Sequence, residues 1–146
     1  MQLSHFTDYA LRVLIYLGDR PDQRGTIEGI ASYYGLSKEH LRKVVHHLAR
    51  TGFIASRRGR GGGLTLARPA IEIGIGDVVR ACEENLALAE CFRDEVGAKG
   101  ACVIEPRCHW KGMLAQALAA FLHTLDAYTL DDVLRHEAPI WTTVGR

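Results

Sequence analysis

Residues 26–67 read TIEGIASYYGLSKEHLRKVVHHLARTGFIASRRGRGGGLTLA, and the punctuation of this stretch sets the fold. Ile27, Ile30, Ala31 and Tyr34 recur at helical spacing, with Thr26 as the N-cap, Glu28 in the first turn and Gly35 at the end. Leu36 enters a tight turn. Ser37 is placed to cap a second helix, whose Leu41, Val44, Val45 and Leu48 face inward while Lys38, Arg42, Lys43, His46 and His47 face out. Gly52 stops it. Residues 53–57 and 64–67 are strand-like runs, joined through Arg58-Gly59-Arg60-Gly61-Gly62-Gly63 as a hairpin. Helix, turn, helix and a two-stranded wing make a winged helix-turn-helix.

Working outward, Phe6, Ala10, Val13, Leu14 and Leu17 predict a first helix over about residues 4–18. Leu11, Ile15 and Tyr16 widen its apolar surface, so it packs on more than one side. Downstream of Pro69 comes a short helix over about residues 75–84. A Gly-rich, charged segment follows over residues 85–107. Trp110, Met113, Leu114, Ala117, Leu118, Phe121, Leu122 and Leu125 then form one stripe on a long helix. That face suits a second copy better than the small basic half, which leaves few apolar groups for it to cover. Thr129 to Asp132 read as a capping box for a last short helix ending near Arg135. The expected class is mainly α with a small β-wing. Residues 1–69 form the DNA-binding domain; residues 70–146 hold a cysteine-bearing loop and a dimerisation helix.

The net charge of +1 conceals opposite halves. Residues 1–69 carry 11 Lys/Arg against 5 Asp/Glu, and residues 70–146 carry 7 against 12. The basic half suits an anionic partner, and DNA is a dense line of phosphates. The N-terminal end of a recognition helix enters the major groove, which here means Ser37, Lys38, Glu39 and His40, with Arg42 and Lys43 behind them. Arg57, Arg58 and Arg60 on the wing, with Gly61 allowing close backbone approach, suit phosphates and a narrow minor groove. A double-stranded, palindromic operator read by a homodimer is the expected partner. No run approaches the ~18 apolar residues of a membrane span, and the N-terminus lacks a secretion signal, so a cytoplasmic protein without membrane contact is expected. No nucleophile–base constellation or phosphate loop is present, and the glycines at 61–63 lack the Lys-Ser/Thr that a phosphate loop carries, so the chain does not read as an enzyme.

Of the four cysteines, Cys91, Cys102 and Cys108 cluster in the segment before the long helix, and Cys82 sits among apolar neighbours as a small core residue. Three thiolates allow zinc with His109 as a fourth ligand, a thiol–disulfide switch, or an iron–sulfur cluster with one non-cysteine ligand.

Leu3 with Phe6-Thr7-Asp8-Tyr9-Ala10-Leu11-Arg12, the wing from Arg58 to Leu64, Gly76-Asp77-Val78-Val79-Arg80 and the three-cysteine segment together resemble the NsrR repressors, relatives of the IscR and RirA regulators. The resemblance covers residues 1 to about 135. It implies a homodimeric repressor that senses nitric oxide through one 4Fe–4S cluster per subunit. Cys91, Cys102 and Cys108 match the cysteine ligands, and Asp8, from the other subunit, matches the fourth. Read without the resemblance, Asp8 is an i, i+4 partner for Arg12. The chain departs from the family pattern in a longer Cys91–Cys102 gap, which keeps a 2Fe–2S cluster as the alternative, and in Lys111 where IscR-like proteins have a histidine. RirA-like proteins usually lack an aspartate matching Asp8, which favours nitric oxide over iron as signal. Competing readings are an iron- or redox-responsive regulator of the same fold and a cluster-carrying redox or assembly protein with a basic face.

Overall fold

The computed structural model describes residues 2–20, 24–57, 59, 62–92, 102, 104 and 107–135 of the 146. Helix α1, His5–Asp19, begins where the Ser4 hydroxyl accepts the Thr7 amide at 3.2 Å. Its Ala10, Val13, Leu14 and Leu17 are fully buried. As the breadth of its apolar surface predicts, α1 packs on several sides: against α3 (Lys38–Arg50), α4 (Ile75–Cys82) and α6 (Leu130–Leu134).

Helix α2, Ile27–Tyr34, is capped by Thr26, whose Oγ1 accepts the Gly29 amide at 3.0 Å. Gly35 ends it in the left-handed region at φ 65°, where a side chain would be strained, and so makes the tight turn into α3. Leu41, Val44, Val45 and Leu48 of α3 are buried as the spacing predicts. Ser37 occupies the N-cap position but makes no side-chain cap, contrary to expectation. Each fully buried aliphatic side chain here contributes roughly 1.5–3 kcal/mol.

Strands β1, Ile54–Arg57, and β2, Gly63–Leu66, pair antiparallel with Ile54 opposite Leu66 and Arg57 opposite Gly63. β1 starts one residue later than the sequence suggests because the Phe53 amide still bonds to the Leu48 carbonyl, at 2.9 Å. The wing also gains a third edge. Gly25 and Leu64 exchange both backbone hydrogen bonds, at 3.0 and 2.8 Å, which ties the approach to α2 into the hairpin.

The second half folds back onto the first. Leu130 donates to the Ile73 carbonyl at 2.8 Å, and the apolar core runs without a break from Ala10 through Val78 to Leu130. Helix α4 ends at Cys82, short of the expected 84, because Glu83 turns back so that its Oε1 accepts the Ser4 amide at 2.8 Å. Thr129 and Asp132 form the expected capping box of α6. Helix α5, His109–Asp126, meets α4 where Gly76 leaves no room for a side chain beside Asp126. There Arg80 holds Asp126 through two bonds of 2.6 Å. That contact lowers the Asp126 pKa and raises that of Arg80. No residue of α5 is buried. No described helix is long and apolar enough to cross a membrane.

Candidate functional site

Two regions bear the chemistry. The first is the outer face of α3 with the wing. Ser37, Lys38, Glu39, His40, Arg42 and Lys43 are all exposed, and the buried stripe of α3 behind them fixes their direction. Lys38 lies 3.8 Å from Glu28 and Arg42 3.5 Å from Glu39. Exposed pairs at these distances are weak and yield readily to a phosphate. Arg57 is exposed at the end of β1. Arg58, Arg60 and Gly61 lie outside the described residues.

The structure adds a residue to this face. Because Gly25 is stitched to Leu64, Arg24 stands beside the wing and shares with Arg57 a shallow groove of about 180 Å³, lined also by Gly62, Gly63 and Thr65. Nothing in the sequence pairs residue 24 with the hairpin. Only its nearness to Gly25 was available as a signal, and a lone glycine does not announce a strand partner.

One residue moves off this face. His47, expected to point outward with His46, turns inward: its Nε2 lies 2.7 Å from the Ala81 carbonyl and its ring meets Phe6 edge-on at 5.3 Å. The last turn of α3 lies against α4, so a residue one step from the buried stripe is covered there.

The second region holds the thiols. Cys91 is half-buried in a short 3₁₀ turn, Glu90–Phe92; Cys102 is exposed; Cys108 is half-buried at the N-cap position of α5; all are free thiols. Cys82 differs. It is buried in the last turn of α4, and burial foremost, then the charge of Glu83, pushes its thiol pKa up to about 11. It stays a protonated core thiol, as its neighbours in sequence predict. His109 is exposed at the start of α5. Asp8 is bound within its own chain by Arg12, through an ion pair of 2.9 Å and an Nε–H donated to Oδ1 at 3.2 Å. Its side chain is nevertheless 42% exposed. Among the described residues, no three His, Cys, Asp or Glu side chains stand close enough to share a metal ion. The donor chemistry nonetheless fits an iron–sulfur cluster, which is held by thiolates: three accessible thiols, kept apart from one inert thiol.

An exposed basic helix beside a two-stranded wing defines a winged-helix transcriptional regulator that binds DNA. Residues 3–136 match the model of the Rrf2 family, described as an iron-dependent transcriptional regulator, and the chain belongs to that family. It is 47% identical over 142 residues to the helix-turn-helix-type transcriptional regulator NsrR of Geobacillus kaustophilus, across 96% of this chain and 94% of that one. It is 45% identical to the NsrR of Oceanobacillus iheyensis over 146 residues, 99% of this chain and 97% of its relative. The fold matches that of an IscR from T. potens with a TM-score of 0.72 at 24% identity, over 92% of this chain and 86% of that one. The resemblance to NsrR regulators drawn from the motifs therefore holds over nearly the whole chain. The chain is a regulator of transcription and not an enzyme.

Proposed function

We propose that the chain is a homodimeric NsrR-type repressor whose operator affinity depends on an iron–sulfur cluster, one per subunit, that reacts with nitric oxide. The observation that carries this reading is the division of the cysteines: Cys82 is buried and protonated, whereas Cys91, Cys102 and Cys108 are free and reachable, in a chain akin to NsrR along its length. Those three would hold the cluster, 4Fe–4S first and 2Fe–2S as the alternative, with Asp8 of the second subunit as the fourth ligand. When bound, the group supplies iron that binds nitric oxide, and an iron held by carboxylate is easier to attack than one held by thiolate.

The chain's own residues supply the rest. Residues 1–69 act as the DNA-binding domain and residues 70–146 as the sensing and pairing domain. Ser37, Lys38, Glu39 and His40 reach base edges, while Arg42, Lys43, Arg57, Arg58 and Arg60, with the Gly61 backbone and Arg24, hold phosphates and the minor groove. Pairing through α5 sets two recognition helices against two half-sites of a palindrome. Asp8 has two competing uses, Arg12 of its own chain or a ligand position on the other subunit. The choice couples the sensing state to the start of α1. Signal-dependent release of DNA is then a shift between two dimer populations.

Anaerobic purification, iron and sulfide counting, a nitric oxide titration and binding to a duplex selected from a random library test this. About four irons per chain, with loss of DNA affinity on nitric oxide addition, is the expected result. Two irons with the same response revises the cluster alone. No iron under strict anaerobiosis overturns the reading. A second reading, an iron- or redox-responsive regulator, draws on the family's iron dependence. It predicts DNA release on iron removal or oxidation with no response to nitric oxide.

A further inference from the structure

Three elements converge at one point beneath the recognition helix. The C-terminal end of α4 leads into the segment that carries Cys91. The N-terminus of α1 lies one turn before Asp8. The last turn of α3 lies opposite its DNA-reading end. We infer that His47 is the tie that carries the state of the cysteine segment to the recognition helix, a positioning role that rests on the cluster-gated reading above.

The last carbonyls of a helix have no partner within it. The Ala81 carbonyl is one of these, and His47 Nε2 lies 2.7 Å from it. A carbonyl only accepts, so the imidazole holds its proton on Nε2 and donates it. The ring is steadied by Phe6 of α1, edge-on at 84°. Two residues past Ala81, Glu83 accepts the Ser4 amide at 2.8 Å. The Ser4 carbonyl in turn accepts the Asp8 amide at 3.1 Å. The end of α4 is thus bonded on one side to α1 and on the other to α3.

An open cleft of about 320 Å³ lies between Ser4, Phe6, His47 and residues 81–85. On its cleft side the end of α4 faces solvent and not a packed neighbour, so it can shift with less repacking than an element enclosed on all sides. Such a shift reaches α3 through the directional His47 hydrogen bond, beside the non-directional apolar contacts of Leu41, Val44, Val45 and Leu48, which lie in the same core as Val78 and Cys82.

The test uses the full-length chain as His47→Phe, which keeps a ring against Phe6 but has no N–H to donate, and as His47→Gln, whose amide donates again. If the larger ring prevents folding, His47→Leu takes its place. Two quantities are read. One is the ratio of affinities for the selected duplex between cluster-loaded and metal-free protein. The other is amide exchange of residues 79–86 in the metal-free chain. Loss of the donor should bring the affinity ratio toward unity while iron content and the cluster spectrum stay as in the parent. It should also speed exchange over 79–86 by roughly two- to tenfold, the equilibrium worth of one hydrogen bond. Gln should restore both. An unchanged affinity ratio, or unchanged exchange over 79–86, overturns the tie. A parent chain that carries iron but binds DNA equally well with and without it overturns the gating reading itself, and the tie's sensing role falls with it.

Discussion

A thiol's surroundings decide what it can do, and the four cysteines divide on that basis. Cys82 in the last turn of α4 is surrounded by apolar groups that disfavour its thiolate. Cys102 stands in the open. In the native, metal-free chain, iodoacetamide at mild alkaline pH should label Cys91, Cys102 and Cys108 and leave Cys82 unlabelled until denaturant is added, read by mass spectrometry of the peptides. Labelling of Cys82 at the rate of Cys102 would show its burial to be wrong. The same residue sets a pH dependence. Its folded pKa lies above the ordinary 9.0, at about 11. Between these values the folded chain keeps a proton that the unfolded chain has released, so stability falls as pH rises through that window. Cys82→Ala should remove this component and leave iron loading unchanged. At this scale the sequence served well for Cys82, because Val78, Val79 and Ala81 announce an apolar site. It served poorly for His47, because helical spacing gives a direction from the axis and not the identity of what lies there.

At the scale of elements, α3 and the wing illustrate both outcomes. The buried stripe of α3 follows from its 3.6-residue period, and its stop at Gly52 from the freedom of glycine at φ 77°. The Gly25–Leu64 bridge was invisible, since backbone pairing across 39 positions leaves no local mark. That bridge makes a prediction. Arg24→Ala and Arg57→Ala should each reduce the slope of log affinity against log salt by about 1 and weaken binding on all duplexes alike, as loss of one phosphate contact does. Fluorescence anisotropy over a salt series checks it. A normal slope for Arg24→Ala removes the groove from the DNA face. Leu41→Ala, in contrast, should cost about 2–5 kcal/mol of folding stability through the cavity it leaves, with DNA binding lost only as the fold is lost.

For the whole molecule, the question is what covers α5. Trp110 and Met113 are 61% and 60% exposed, and none of the 18 residues of the helix is buried within one chain. Apolar surface of that extent on one helix suits a second copy of the chain. Met113→Glu combined with Leu114→Glu should therefore give a folded monomer in sedimentation, with the helical circular dichroism kept. Binding to a palindrome should fall much more than binding to a single half-site. A double variant that still sediments as a dimer would assign pairing to another surface. The contact of α4 with α5 at Arg80 and Asp126 anchors the C-terminal end of the helix, while Trp110 and Met113 near its other end stand exposed.

The sequence alone determined what depends on neighbours along the chain. Helix periods, the Thr26 and Thr129 caps, the stop at Gly35, the basic recognition face and the membership signalled by the wing and cysteine motifs all rest on short-range geometry and on residue type. Only the tertiary structure decided which way His47 points, that residue 24 borders the wing, that Ser37 begins α3 without capping it, and that the first and second halves share one core. All but the missing Ser37 cap turn on a contact between residues far apart in the chain, where the energy comes from packing and from backbone groups that every residue carries alike.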